Sequence, residues 1–357
     1  MDLLSYLIVG ILYFYSTILL YITYLTKKRG ERGAYYNNLV NSLVLLIGVS
    51  INLVIINFLH VTTLDFLIFP FDVILLSFTV IFLPFFYLLI RREKNKSKMT
   101  IKIDYDNSFE KLPLKYEIYR KLTHLVVLGI IFFYFTLGFL VQHLFVYLFE
   151  LLPSFLSDLF FSVYYNIADQ MIFTQYLVVC LVGICLIGFF TAEIIRILKP
   201  DYYPLKSVNK ILREKERHMR FGPHISMGIG CFSIIIVYGL IQPIGPLIIC
   251  TSMTMAIFGD MTSNLFGRIL GRNKIRNTNK TYEGLIAGII TAFISGIIVL
   301  ILLNGLYFVN LQGILLLPLI GALIVGVLDY FDLEVDDNLT YNFVISSILF
   351  FFAFIII

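Results

Sequence analysis

Residues 258–288, FGDMTSNLFGRILGRNKIRNTNKTYEGLIAG, begin inside one apolar run and end inside another. Five Lys and Arg residues lie in the middle of this stretch. A basic segment between two apolar runs predicts a loop that joins two membrane helices. Asp260 follows a run of uncharged residues, at a depth where an ionisable group is costly unless it has a partner. The stretch therefore predicts a polar site where this loop meets the membrane.

The composition indicates a membrane protein. The 357 residues are 59% hydrophobic and 14% charged, with a mean hydropathy of +0.90, whereas a soluble domain has about 25% charged residues. A helix needs roughly 20 mostly apolar residues to cross a bilayer. We expect an all-α, polytopic integral membrane protein with about ten transmembrane helices, over residues 3–25, 36–60, 66–90, 122–146, 171–195, 224–242, 244–266, 284–304, 312–328 and 339–357.

The charge distribution orients this topology. If the N-terminus is outside, all 27 Lys and Arg residues fall in the inner segments 26–35, 91–121, 196–223 and 267–283. This is the pattern of the positive-inside rule. We therefore expect both termini outside and the active site on the cytoplasmic side, in a prokaryotic cell membrane or, in a eukaryote, the endoplasmic reticulum. The basic residues face membrane lipid headgroups in this arrangement, so no nucleic-acid partner is expected.

Polar residues at inner helix ends become frequent only from Arg120 onward. We therefore divide the chain into an N-terminal three-helix membrane region (1–90), a cytoplasmic linker (91–118) and a membrane-embedded catalytic module (119–357). The outer segment 147–170 has the amphipathic pattern of an interfacial helix. The oligomeric state is left open by the sequence.

Two clusters of polar residues precede the opening stretch. Arg120, Lys121 and His124 could form a phosphate clamp with His124 as proton carrier, or a basic flank of the next helix. The loop 213–224 has mixed charge and two histidines without metal-ligand spacing, which argues against a metal centre. It is either part of a functional site or a solvated cytoplasmic loop. Glu193 and Arg196 are three residues apart, which favours an ion pair at a helix end over catalysis.

The opening stretch is the third cluster. Asp260, Asn264 and Arg268 share one helix face, and the glycines permit close approach of a ligand or another backbone. A carboxylate, an amide, a basic loop and a helix N-terminus suit a metal-bound polyphosphate. The alternative is a topogenic basic loop with glycines for packing. The remaining candidate residues here are Gly267, Gly271, Lys274, Lys280, Glu283 and Gly284.

The fourth cluster is acidic. Residues 327–340, VLDYFDLEVDDNLT, contain five acids and no basic residue. Such acids repel one another unless a cation or a basic loop compensates them. We consider two roles for Asp336 and Asp337, as ligands of a divalent metal or as the cap of the last helix.

Three of these motifs occur together in a known family. RKLTH at 120–124, the glycine- and lysine-rich stretch 259–288 and DDNLT at 336–340 resemble the CTP-dependent polyprenol kinases, which include dolichol, phytol and farnesol kinases and the fungal CTP-dependent diacylglycerol kinase. The resemblance covers about residues 115–357. CDP-diacylglycerol synthases share the Gly-Asp segment and the Lys-Thr-x-Glu-Gly element, but their C-terminal motif is replaced here by DDNLT. The family often has Glu at the position of Asp329.

The resemblance implies phosphoryl transfer from CTP to a lipid alcohol, with Mg²⁺ as cofactor. Asp260, Asp336 and Asp337 would be catalytic or hold the metal, with His124 as the rival proton acceptor. Nucleotide and phosphate binding would fall to Arg120, Lys121, Asn264, Gly267, Arg268, Gly271, Lys274, Lys280, Glu283 and Gly284. No Walker A signature is present, which argues against a soluble type of ATP site.

Two other functions are compatible with the same residues. A cytidylyltransferase of the CDP-diacylglycerol or CDP-archaeol synthase type would attack the α-phosphate of CTP with a lipid phosphate. The alternative that is not an enzyme is a non-catalytic lipid transporter. Transporters typically have helices broken at the membrane midplane in two repeated halves, and these are not evident in the sequence.

Overall fold

The computed structural model describes residues 3–58, 65–97, 118, 126–164, 167–206, 212, 216, 218–275, 278, 280–306, 309–331 and 333–356. The described part of the chain folds into α-helices and forms no strand, which confirms the all-α class. The helices are α1 (Leu3–Lys28), α2 (Arg32–Phe58), α3 (Phe71–Ser97), α4 (Val126–Tyr134), α5 (Thr136–Glu150), α6 (Ser154–Val163), α7 (Gln170–Leu198), α8 (Pro223–Ile234), α9 (Gly245–Ile269), α10 (Tyr282–Leu303), α11 (Leu311–Phe331) and α12 (Asp337–Ile356).

Each of the ten predicted segments is mainly helical in its described part. Within the described ranges, seven helices are long and apolar enough to cross a membrane, or eight if α4 and α5 count as one bent span. The protein is therefore polytopic, as expected, but the count of ten spans is not confirmed. Helix α8 is too short by itself, and the Ser, Thr and Asp residues of α9 lower its apolar character.

Helix α9 runs through the interior of the bundle. Its residues from Gly245 to Ile257 are buried without interruption, so this part of the helix is enclosed by protein. It packs chiefly against α10 and also contacts α11 and α12. A helix in this position can carry a polar residue such as Asp260, since neighbouring helices rather than lipid surround it.

The α4–α5 pair bends by 50°. The break falls at Phe135, whose backbone (φ −123°, ψ −79°) is not helical. Just beyond it, a Cβ atom on Gly138 would lie 1.9 Å from the Phe133 carbonyl oxygen. Only glycine therefore fits this bend. The bend sets the direction of α4, which packs against α9.

The loops at one end of the bundle contact one another. Arg220, which precedes α8, donates to the backbone oxygen of Glu334 between α11 and α12 (2.9 Å) and to that of Gly33 at the start of α2 (3.2 Å). Lys280, which precedes α10, forms ion pairs with residues of α11 and α12. The polar clusters described by the structure thus gather at a single end of the molecule.

Candidate functional site

A narrow cleft lies between α9 and α12 at the end where these loops meet. It has about 10 Å³ of space, room for roughly one water molecule. Two carboxylates, Asp260 and Asp337, contribute to its lining. The complete lining is Met227, Ala256, Ile257, Asp260, Asp337, Asn338, Tyr341 and Asn342.

Asp260 is 4% exposed and sits inside α9. The amide of Asn264, one turn further on, donates to the Asp260 carboxylate oxygen Oδ1 (2.6 Å) and to its backbone oxygen (2.9 Å). The predicted sharing of one helix face by these two residues is therefore confirmed. Because the amide holds one carboxylate oxygen, the orientation of this buried acid is fixed.

Lys280 joins two acids from different helices. Its Nζ lies 2.9 Å from Oδ1 of Asp329, at the end of α11, and 3.5 Å from Oδ2 of Asp337, at the start of α12. The lysine side chain is 18% exposed, whereas the Asp329 side chain is 4% exposed. One cation therefore compensates two carboxylates, and the basic loop and the acidic segment meet as opposite charges.

Asp329 has partners on several elements. Besides the ion pair with Lys280, it accepts hydrogen bonds from Ser263 Oγ (2.6 Å) and Tyr341 OH (3.1 Å). Its partners thus come from α9, α12 and the loop before α10. The sequence motifs assign no role to Asp329, although a carboxylate at the end of the apolar run 311–328 is a signal of a functional residue.

The loop before α10 positions Lys280. The backbone N–H of Ile275 donates to the Lys280 carbonyl (2.9 Å), and that of Tyr282 donates to the Asn273 carbonyl (3.0 Å). Ile275 is fully buried and anchors the loop. Thr281 caps the helix, because its hydroxyl accepts from the Gly284 N–H (3.3 Å). The predicted helix N-terminus within TYEG is confirmed, and it starts at Tyr282.

The adjacent acids Asp336 and Asp337 have different surroundings. Asp336 Oδ1 accepts from the backbone N–H (3.0 Å) and the side-chain amide (2.6 Å) of Asn338. Asp336 also donates its N–H to Asn37 Oδ1 (2.9 Å) on α2. This is the capping geometry that was one of the two expected roles. Asp337, in contrast, lines the cleft and faces Lys280.

The three candidate glycines lie where α9 meets α10 and the loop before it. A Cβ on Gly284 would lie 2.5 Å from the Ser263 carbonyl oxygen and 2.9 Å from Gly267 Cα. A Cβ on Gly271 would lie 2.6 Å from Thr281 Oγ1. We expected these glycines to permit close approach of either a ligand or another backbone. The observed contacts are those of close backbone packing.

Glu283 and three basic residues lie where α9 ends, in the loop that follows and where α10 begins. The Glu283 carboxylate accepts from the side-chain amide (2.8 Å) and the backbone N–H (3.2 Å) of Asn273, so it holds the loop closed. Arg268, at the end of α9, and Arg272 and Lys274, in the loop that follows it, are exposed. Their positive charge at this end of the bundle suits an anionic ligand.

Glu193 and Arg196 form the expected ion pair near the end of α7. Glu193 is fully buried, and Arg196 Nη2 and Nε bind its two oxygens at 2.6 and 2.7 Å. Arg196 also donates to the backbone oxygens of Glu216 (3.0 Å) and Arg220 (2.7 Å). The pair therefore fixes the loop before α8, and its role is structural.

The first cluster, Arg120, Lys121 and His124, lies outside the described residues. In sequence it directly precedes α4.

Among the described residues, no three His, Cys, Asp or Glu side chains converge on a potential metal site. Mg²⁺ in nucleotide sites needs fewer protein ligands, because one or two carboxylates suffice and phosphate oxygens and waters complete its shell. Asp260 and Asp337 line one cleft and meet this requirement.

No known protein family, no curated protein and no solved structure matches this chain.

Proposed function

We propose that this protein is a CTP-dependent lipid kinase that transfers the γ-phosphate of CTP to the hydroxyl of a long-chain isoprenoid alcohol. The observation that carries the proposal is the cleft lined by Asp260 of α9 and Asp337 of α12. Next to it, Lys280 forms ion pairs with both Asp337 and Asp329. Phosphoryl transfer requires such charge neutralisation and positioning more than a covalent nucleophile. The order of the three motifs along the sequence supports the same function.

Asp260 is the residue that would hold Mg²⁺, since one carboxylate suffices when phosphate oxygens and waters complete the shell of the ion. The bound ion would neutralise charge on the phosphate oxygens. The cleft is too small for a triphosphate, so the nucleotide would lie at its mouth, against the exposed Arg268 and Lys274. Asp329 keeps the Lys280 ammonium at the edge of the cleft, where it would bind the transferred phosphoryl group.

The acceptor hydroxyl loses its proton during the transfer. Its oxygen forms a bond to the γ-phosphorus, the bond from that phosphorus to the β,γ-bridging oxygen breaks, and CDP leaves. We assign the proton to Asp337, because it lies in the cleft, whereas the Asp336 carboxylate is engaged by Asn338. Asn264 would contribute by orienting Asp260.

The test is transfer of label from CTP by purified protein in detergent with Mg²⁺. CTP labelled at the γ or the α position is supplied with a panel of isoprenoid alcohols and lipid phosphates. Label from the γ position in an extractable lipid phosphate is the expected result. Label from the α position in a CDP-lipid would replace the proposal by a cytidylyltransferase. No transfer from either position to any acceptor would contradict both enzymes and leave a lipid transporter as the better interpretation.

A further inference from the structure

Helix α2 is bound to the part of the chain that carries the site, although all three sequence motifs lie in the later part of the chain. The backbone N–H of Phe221, just before α8, donates to Asn38 Oδ1 (2.9 Å), and the Asn38 amide donates to the Met219 carbonyl (2.8 Å). Further along α2, Asn52 Nδ2 donates to the Ile236 carbonyl (2.6 Å). Both asparagines are buried. Buried amides that bond another segment hold the two segments together, so α2 is fixed along α8.

A third asparagine of α2, Asn37, reaches the acidic segment. It is fully buried. Its side-chain oxygen Oδ1 accepts from the backbone N–H of Asp336 (2.9 Å) and from Arg220 Nη2 (3.3 Å). The same Arg220 nitrogen donates to the carbonyl of Glu334 (2.9 Å). Two residues of the loop between α11 and α12 are therefore held by α2 and by the loop before α8.

The loop between α11 and α12 separates the two acids that pair with Lys280. Asp329 lies near the end of α11, and Asp337 is the first residue of α12. Asp337 follows Asp336 directly, so the hydrogen bond to the Asp336 N–H fixes the backbone from which the Asp337 side chain extends. That backbone position sets where the Asp337 carboxylate meets the cleft and Lys280.

We infer that Asn37 is a positioning residue of the proposed active site, which holds the loop between α11 and α12 so that Asp337 lies in the cleft. This inference rests on the proposed function for the role of Asp337. Asn37 does not line the cleft, so it acts through Asp336 and Asp337 and not on the substrate. A reacting group displaced by about 1 Å can lose about 10²-fold in rate. The N-terminal helices thus have a part in the site.

The first test compares two substitutions of Asn37 in the full-length protein. Asn37→Leu is similar in size but removes the acceptor, so kcat for γ-label transfer should fall at least about tenfold, while the KM values for CTP and the alcohol change less than about twofold. Asn37→Asp keeps Oδ1, and the Nδ2 that it replaces has no hydrogen-bond partner among the described residues. Arg220 also compensates the added charge. Asn37→Asp should therefore retain most of the activity.

The second test is hydrogen exchange of the substrate-free protein in nanodiscs, so that its result does not depend on catalysis. Asn37→Leu should speed up amide exchange in residues 333–338, and exchange in α10 should stay as in wild type. Asn37→Asp should leave both segments unchanged. The matched control is Asn57→Leu, because Asn57 lies on the same helix, is exposed and donates to the Leu53 carbonyl of its own helix (2.8 Å). This control should change neither exchange nor kcat.

Several results would overturn the inference. These are wild-type kcat in a folded Asn37→Leu protein, an equal loss of activity in Asn37→Asp, unchanged exchange in residues 333–338, and faster exchange throughout the bundle, which would indicate a general loss of stability. If Asn37→Leu does not fold, Asn37→Ala, which adds no bulk, is measured by the same criteria. If wild-type protein transfers no γ-label, the kinase proposal falls and hydrogen exchange alone decides whether Asn37 holds the loop.

Discussion

At the scale of single residues, Lys280 links two acids from different helices. Replacing it by methionine would leave Asp329, a nearly buried carboxylate, without its cation. We expect Lys280→Met to lower the free energy of unfolding by about 3 kcal/mol and to abolish phosphoryl transfer. The measurement is the thermal midpoint in detergent together with the transfer rate.

The double variant Lys280→Met, Asp329→Asn is the control for this effect. It removes both charges, so it should recover part of the lost stability but none of the activity. Full stability in the single variant would show that the ion pair does not stabilise the fold.

Asp260 tests the assignment of the cleft. Asp260→Asn keeps the shape of the side chain but removes the charge, so the chain should fold normally while kcat falls by at least about 10²-fold. The readouts are the size-exclusion profile, the thermal midpoint and γ-label transfer. Retained activity in a folded Asp260→Asn protein would exclude a metal or nucleotide role for this residue.

At the scale of the elements, contact between α9 and α10 depends on glycines. Gly284→Ala would place a methyl group 2.5 Å from the Ser263 carbonyl oxygen, so the two helices would have to separate. We expect a loss of about 1–3 kcal/mol in stability, measured as a lower thermal midpoint. Gly10→Ala in α1 is the matched control, since nothing lies within 4 Å of its added Cβ. An equal effect of both substitutions would contradict the packing explanation.

Most of the helices could be predicted from the sequence, but not all of their ends: the segment 66–90 is a helix over Phe71–Ser97, and 122–146 breaks at Phe135. The apolar runs gave the positions of the helices, and the threonine before YEG marked the start of α10. The roles of the acids in the fourth cluster could not be predicted. The sequence does not distinguish Asp336, which caps α12, from Asp337, which lines the cleft. That difference depends on the rotation of a helix end against its neighbours.

At the scale of the whole molecule, contacts between distant segments assemble the site. Asn37 of α2 accepts hydrogen bonds from the Asp336 N–H (2.9 Å) and from Arg220 Nη2 (3.3 Å). Nothing in the local sequence around Asn37 indicates these partners, which lie 299 and 183 residues away. The same applies to Asp329, whose importance depends on Lys280 and Ser263. Long-range pairing of this kind was not predictable from periodicity or motifs.

The direction of the helices gives a test of topology. Asp201 and Glu334 lie in loops at the end of the bundle that carries the cleft, while Leu152 and Gly305 lie in loops at the other end. Single cysteines at the first two positions should react with an impermeant maleimide only after the membrane is opened. Cysteines at the last two should react in intact cells. The reverse pattern would contradict the cytoplasmic placement of the cleft.

The most direct measurement compares two neighbouring carboxylates. Transfer of γ-label from CTP to a polyprenol is measured for wild type, Asp336→Asn and Asp337→Asn under identical conditions. Asparagine caps a helix about as well as aspartate, so Asp336→Asn should retain activity within about threefold of wild type. Asp337→Asn should lose at least about 10²-fold, because its carboxylate lies in the cleft beside Lys280. Equal activity of the two variants, or a greater loss in Asp336→Asn, would contradict the proposed site.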